Sequence, residues 1–266
     1  MLQQAYDFRD ESDAIHNLLS SLSEDDFGTV TQFKEWTIND VLAHLHHFNY
    51  LAVLSLTEEE KFLVELKALF KSWESGKTVR QATDLALNNI SGRALFDLWH
   101  NYYLEMTEIF AAADPKKRVK WAGPDMSVIS SITARLMETW SHGQCLFDIL
   151  GTARQETDRI RNVAMIGMNT FGWTFINRGE DVPTTQPYVR LTAPSGEIWE
   201  WNERDQANMI EGDATGFCQV VTQTRNVGDT NLRVVGEAAT RWMGMAQCFA
   251  GPPENQPAPG ARSIVT

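Results

Sequence analysis

Apolar residues recur at three- and four-residue steps through nearly all of residues 1–155, and that rhythm restricts this part of the chain to packed helices. Phe8, Ala14, Ile15, Leu18, Leu19 and Leu22 keep the step over residues 4–22. A second helix is predicted to start at Thr37, because Thr37-Ile38-Asn39-Asp40 is a capping-box variant with an acid at its fourth position. It continues through Val41, Leu42, Leu45, Phe48 and Leu51. Further helices are predicted over 58–75, over 79–113 with breaks, and over 128–150, where Gly151 supplies a C-cap signal. Long helices on short connections describe a four-helix-type bundle.

After Thr152 the texture changes. One helix is predicted over 158–177, and strands over 188–191 and 197–201 flank the turn Ala193-Pro194-Ser195-Gly196. Helical patterns return at 214–224 and 234–248, with a strand at 232–235 between them. The fold expected is therefore α+β in two domains: a helical bundle over 1–155, a smaller α+β domain over 156–253, and an irregular tail over 254–266 rich in proline.

The net charge of −12 argues against a nucleic-acid or membrane-surface partner, since the basic residues Lys116, Lys117, Arg118 and Lys120 make only a short cluster. No apolar run approaches the length of a membrane span, and the N-terminus lacks the pattern of a signal peptide. Three cysteines, Cys145, Cys218 and Cys248, without short spacing do not suggest a disulfide framework or a zinc knuckle. A cytoplasmic protein with a small-molecule partner, monomeric or homodimeric, is the expectation.

Chemistry concentrates on two helices. His44, His46 and His47 lie on the second one, and a 3.6-residue period puts His44 on the stripe of Val41, Phe48 and Leu51, facing the core. His47 shares a face with Asp40 and Ala43, and His46 lies round the helix. On the last bundle helix, Glu138 and His142 stand four apart on one face, continued by Arg135 and Cys145. Each feature alone admits a plain structural reading, as a buried hydrogen-bonded histidine or a surface i,i+4 pair. Two imidazoles and a carboxylate together suit a divalent ion, zinc first, with Ni2+, Fe2+ or Mn2+ as neighbours.

Trp36-Thr37-Ile38-Asn39-Asp40-Val41-Leu42-Ala43-His44-Leu45 resembles the first metal motif of the DinB-like superfamily, in the branch of the mycothiol-dependent maleylpyruvate isomerases. Ala134-Arg135-Leu136-Met137-Glu138-Thr139-Trp140-Ser141-His142-Gly143-Gln144 resembles its second. The resemblance implies a bundle holding one divalent metal through His44, Glu138 and His142. Residues 189–196, 199–201 and 246–253 resemble the second domain of an uncharacterised metal-binding subfamily. Two positions depart from that pattern: Cys145 stands where an Asp is usual, and Asn162 where a His is common. Cys145 is either a further ligand or a small buried hydrophobe.

By the same resemblance, a basic residue after a helix of the second domain faces the metal and is required for activity. Arg225 matches by position, and is equally a helix C-terminal cation favoured by the macrodipole. The activity implied is addition of a low-molecular-weight thiol to a conjugated double bond of a small unsaturated acid, for isomerisation or S-transfer. Two alternatives stay open. One is a metal-hydroxide hydrolase or lyase, with His47 as base. The other is a non-catalytic module in which the metal clamps the bundle, closed by Cys145 or His47 as a fourth ligand.

Overall fold

The computed structural model describes residues 1–265. The chain divides into two compact units, Met1–Ile149 and Leu150–Thr266. The first contains α1 (Gln3–Leu19), α2 (Ile38–Thr57), α3 (Glu59–Glu74), α4 (Val79–Ala86) and α5 (Gly92–Ala112). The two-residue strands β1 (Arg118–Val119) and β2 (Met126–Ser127) pair antiparallel, and α6 (Val128–Ile149) completes the unit. The long helices form the predicted bundle: α1 packs on α5 and α6, and α2 packs on the same two.

Large apolar side chains fill the bundle, with Phe8, Ile15 and Leu19 of α1, Trp99 and Phe110 of α5 and Trp140 of α6 fully buried. Tyr103 is equally buried, and its hydroxyl donates a hydrogen bond to Asp13 Oδ1 at 2.6 Å, tying α5 to α1. Helix α2 is buried along almost its whole length because α3 and α4 cover the side that the bundle does not. This is why its histidines, which would be wet on an ordinary amphipathic helix, are dry.

The start of α2 is fixed twice. Thr37 Oγ1 accepts from the Asp40 amide at 3.1 Å, and Asp40 Oδ2 accepts from the Thr37 amide at 2.7 Å. This is the predicted capping box, an arrangement worth about 1 kcal/mol. Immediately before it the chain doubles back: Val30 bridges Thr37, the Thr31 amide donates to Trp36 O at 2.7 Å, and the Trp36 amide donates to Phe33 O at 2.9 Å. The two residues inside that turn, Lys34 and Glu35, have φ of +51° and +56°. Positive φ at both central positions is the pattern of a type I′ turn, for which Asn-Gly is the usual sequence. Lys and Glu there cost about 1–2 kcal/mol each.

The second unit begins at Leu150, next to Gly151, whose φ of +63° is the left-handed stop anticipated for α6. It carries α7 (Arg161–Asn169), α8 (Phe171–Ile176), β3 (Tyr188–Thr192), β4 (Ile198–Trp201), β5 (Met209–Asp213), α9 (Ala214–Val221), β6 (Arg233–Val235) and α10 (Glu237–Met245). The sheet order is β4-β3-β5-β6, with β3 and β5 parallel and both outer pairings antiparallel. Helix α9 packs on β3 and β5, and rings of Phe171, Phe217 and Trp242 meet edge to face behind it. Gly236, at φ +92°, leads into α10 so close to the Ala207 carbonyl that a Cβ would sit 2.4 Å from that oxygen.

Two expectations change here. The single helix predicted over 158–177 is a 3-10 turn at 158–160 followed by α7 and α8, broken at Thr170. The Thr170 hydroxyl donates to Ile166 O at 2.8 Å and competes with the backbone ladder. The helix predicted over 214–224 ends at Val221, because Gln223 turns left-handed at φ +57°. The central strand β5 was not predicted, since Met209-Ile210-Glu211-Gly212-Asp213 is short and does not alternate. Beyond Met245 the described residues form no regular element, yet the chain is pinned. Gln223 Nε2 donates to Glu254 O at 2.8 Å, and Asn226 Nδ2 donates to Pro257 O at 2.9 Å.

The strained turn makes a direct prediction. Glu35→Gly should raise stability by roughly 0.5–1 kcal/mol, the relief of left-handed strain exceeding the added chain entropy of glycine. Chemical denaturation measures it; an equal loss of stability would show that the turn is unstrained.

Candidate metal centre

His44 projects from the second turn of α2, and Glu138 and His142 from one face of α6. The packing of α2 on α6 brings them together across 94 residues of sequence: His44 Nε2 lies 3.2 Å from Glu138 Oε2. His142 Nε2 lies 3.3 Å from the same oxygen. Ligand atoms of all three lie within 4.8 Å of one another, and the two imidazole centroids are 4.4 Å apart. Among the described residues this is the one such group of His, Cys, Asp or Glu.

Electrostatics prepares the set for a cation. Burial, helped by the neighbouring His142, lowers the His44 pKa to about 4 against the pull of Glu138, so its imidazole is neutral at pH 7. Burial pushes Glu138 upward, but hydrogen bonds from His142 and His44 outweigh it and hold the carboxyl well below its ordinary range. A neutral imidazole and an ionised carboxylate are the protonation states that metal ligation requires. Among the described residues the Nδ1 atoms of His44 and His142 have no hydrogen-bond partner, so no carbonyl or carboxylate of these residues fixes either ring from behind.

Aromatic rings enclose the imidazoles. Trp36 stacks parallel to His142 at 5.7 Å, with Phe33 edge-on to the same ring at 5.0 Å. On the other side, Phe48 tilts against His44 at 4.6 Å. The strained turn at Lys34 and Glu35 thus sets two of the three walls. Sequence reasoning marked Trp36 only within a motif and gave Phe33 no role, because a residue in a turn carries no periodicity to reveal its direction.

The other candidates fall outside the triad. His47 is buried and contacts Phe48 edge-on at 5.5 Å; burial, then the charge of Arg135, lowers its pKa to about 4. His46 packs edge-on to Tyr102 at 5.2 Å and is lowered to about 4 by burial and then by His47. Cys145, one turn beyond His142, is buried, and its thiol donates to His142 O at 3.1 Å. Neither His47 nor Cys145 belongs to the three-residue group. Arg225 belongs to the second unit, in the turn after α9, where it is buried and donates from Nη1 to Thr224 O at 3.0 Å. Arg135 was noted only as a member of the α6 stripe. It is buried beside the triad, and its Nε donates to Asn49 Oδ1 at 3.0 Å. Burial lowers its pKa to about 10, leaving it charged at pH 7.

The chain is similar to several known proteins. The model of the mycothiol maleylpyruvate isomerase N-terminal domain matches residues 8–146, a span that encloses His44, Glu138 and His142. An uncharacterized protein of Mycobacterium tuberculosis is 36% identical over 247 residues, 93% of this chain and 95% of its own length, in strain CDC 1551 / Oshkosh. The same figures hold for its counterpart in strain ATCC 25618 / H37Rv. Among solved structures, a histidine-to-alanine mutant of the mycothiol-dependent maleylpyruvate isomerase aligns with a TM-score of 0.50 and 15% identity. That alignment covers 82% of this chain and 87% of the other, and shows a shared fold.

The depressed histidines make stability depend on pH. In the unfolded chain each titrates near 6.5; in the folded, metal-stripped protein His44, His46 and His47 titrate near 4. Between those values the unfolded state binds more protons, so stability is full above about pH 6.5 and is lost as pH falls toward 4. Urea denaturation across that range should show unfolding coupled to uptake of up to three protons. A flat profile would mean that the three imidazoles are not dry.

Proposed function

The chain belongs to the mycothiol maleylpyruvate isomerase N-terminal domain family, and from that premise we propose that it is a metal-dependent enzyme that activates a low-molecular-weight thiol. His44, Glu138 and His142 are the proposed ligands. The observation that carries the reading is the spacing of the donors. A tetrahedral zinc ion with bonds of about 2.0–2.1 Å sets its ligand atoms about 3.3–3.4 Å apart; here Glu138 Oε2 stands 3.2 Å and 3.3 Å from the two imidazole nitrogens. Two neutral nitrogens and one carboxylate oxygen favour zinc, with nickel, iron or manganese as neighbours.

Three protein donors leave coordination positions for a small molecule, which favours a reactive site over a structural clamp. A divalent ion held by His44, Glu138 and His142 would supply Lewis acidity, which would favour the thiolate form of a small thiol near neutral pH. The chain's own residues do the rest. His44 and His142 approach from two helices and fix the donors on a rigid bundle, and Glu138 contributes their negative charge. Trp36, Phe33 and Phe48 keep bulk water from the imidazoles, which strengthens every charge interaction inside. Arg225 is the proposed partner of a substrate carboxylate. The thiol, mycothiol by family or another small thiol, would then add to the conjugated double bond of an unsaturated acid for isomerisation or S-transfer.

A hydroxide mechanism would need a proton acceptor, for which His47 is the proposed residue. With its pKa lowered to about 4, it is a weak base at pH 7. That observation favours the thiol reading.

His44→Ala and His142→Ala should each lose the bound metal while keeping the far-UV helical signal. The metal-loaded parent should turn over a small unsaturated acid only when a thiol is added. A full equivalent of metal in both variants would reject the ligand set, and turnover indifferent to thiol would reject the thiol reading.

A further inference from the structure

A second charge sits beside the triad, and metal ligation does not use it. Arg135 lies one turn before Glu138 and two before His142 on the same face of α6. It is 3% exposed. Its guanidinium carbon stands 5.9 Å from the Phe48 ring centroid, and that ring in turn covers His44 at 4.6 Å. Arg135 Nε donates to Asn49 Oδ1, and Asn49 is itself fully buried. Two donors of this joined pair, Arg135 Nη2 and Asn49 Nδ2, have no hydrogen-bond partner among the described residues.

A buried guanidinium cannot shed its proton, and its burial is costly unless an anion meets it. The neighbours that hold this one, an amide and a phenyl ring, are both neutral. Glu138, the carboxylate of the site, attracts the guanidinium through space, but its hydrogen-bonding oxygen is engaged by the two imidazoles. An arginine kept only for the fold would ordinarily face a carboxylate. Here α6 and α2 together present a fixed positive charge and two donors, unpaired among the described residues, next to the set of metal ligands.

We propose that Arg135 and Asn49 form the anion-holding element of the site and receive the negatively charged group of the small molecule bound there. The inference rests on the metal-centre reading and deepens it. Arg135 supplies the charge and the N–H donor, and Asn49 fixes the guanidinium through Nε while adding its own amide N–H. With Glu138 alone balancing a divalent ion, Arg135 leaves the site strongly cationic, and an anionic ligand neutralises it. This recognition comes from the bundle itself and is separate from whatever Arg225 contributes.

The test is calorimetric titration of maleate, a small unsaturated dicarboxylate, into the zinc-loaded full chain at fixed ionic strength, with zinc content measured on the same samples. The parent should bind maleate, and Arg135→Gln should weaken it roughly tenfold or more, the effect of one lost charge-assisted hydrogen bond, with zinc retained. Arg135→Lys should recover part of the affinity. Asn49→Asp, nearly isosteric, places an internal carboxylate on the guanidinium and should weaken maleate even though Arg135 remains. Unchanged maleate affinity in Asn49→Asp and in folded Arg135→Gln, or no maleate binding by the zinc-loaded parent, would overturn the inference while leaving the metal centre standing. A parent that takes up no zinc would overturn the functional reading itself, and this inference with it.

Discussion

One carboxylate oxygen joins two helices of the bundle. Glu138 Oε2 meets an imidazole of its own helix and another from α2, in an interior of apolar and aromatic side chains that also holds the buried Arg135 and Asn49. Charge in such a place is costly unless it is fully partnered. The bundle meets that cost by burying α2 on every side, so that His44 stays neutral and ready to share a cation with the ionised Glu138. The crossing of α2 and α6 makes this one contact, while burial of α2 depresses the protonation of its histidines against the pull of Glu138 on His44.

The walls of the site have an energetic signature of their own. Lys34 and Glu35 adopt a left-handed turn that glycine or asparagine would occupy at less cost, and the turn aims Phe33 and Trp36 at His142. Strain of this kind persists where the surroundings over-determine it, commonly at functional sites. The unpaired donors of Arg135 and Asn49 are a second local cost. Both lie around the same three ligands, although the bundle also carries left-handed Asn88 and Asn89 and the buried Trp99 Nε1 away from the site.

Much of this was legible in the sequence. The capping box at Thr37, the i,i+4 placement of Glu138 and His142 and the inward direction of His44 all follow from helical periodicity, which is local information. That His44 would reach residues 138 and 142 is not local; only the family resemblance carried that step, and the packing of α2 on α6 supplies its physical basis. Phe33 escaped notice because turns have no period, and Arg135 because one stripe of a helix does not reveal which of its charges lacks a partner. The strand Met209–Asp213 escaped because its strand character comes from pairing on both sides, not from an alternating pattern. Thr170 broke a helix that apolar spacing alone would continue.

The central claim is that His44, Glu138 and His142 hold a divalent ion without a protein sulfur. X-ray absorption at the metal edge of the purified, zinc-loaded protein tests it most directly. The account predicts a first shell of nitrogen and oxygen only, with outer-shell scattering from two imidazoles, and a sulfur scatterer that appears when a small thiol is added. A sulfur ligand present before any thiol is added would place Cys145 on the ion and contradict the open, three-residue centre.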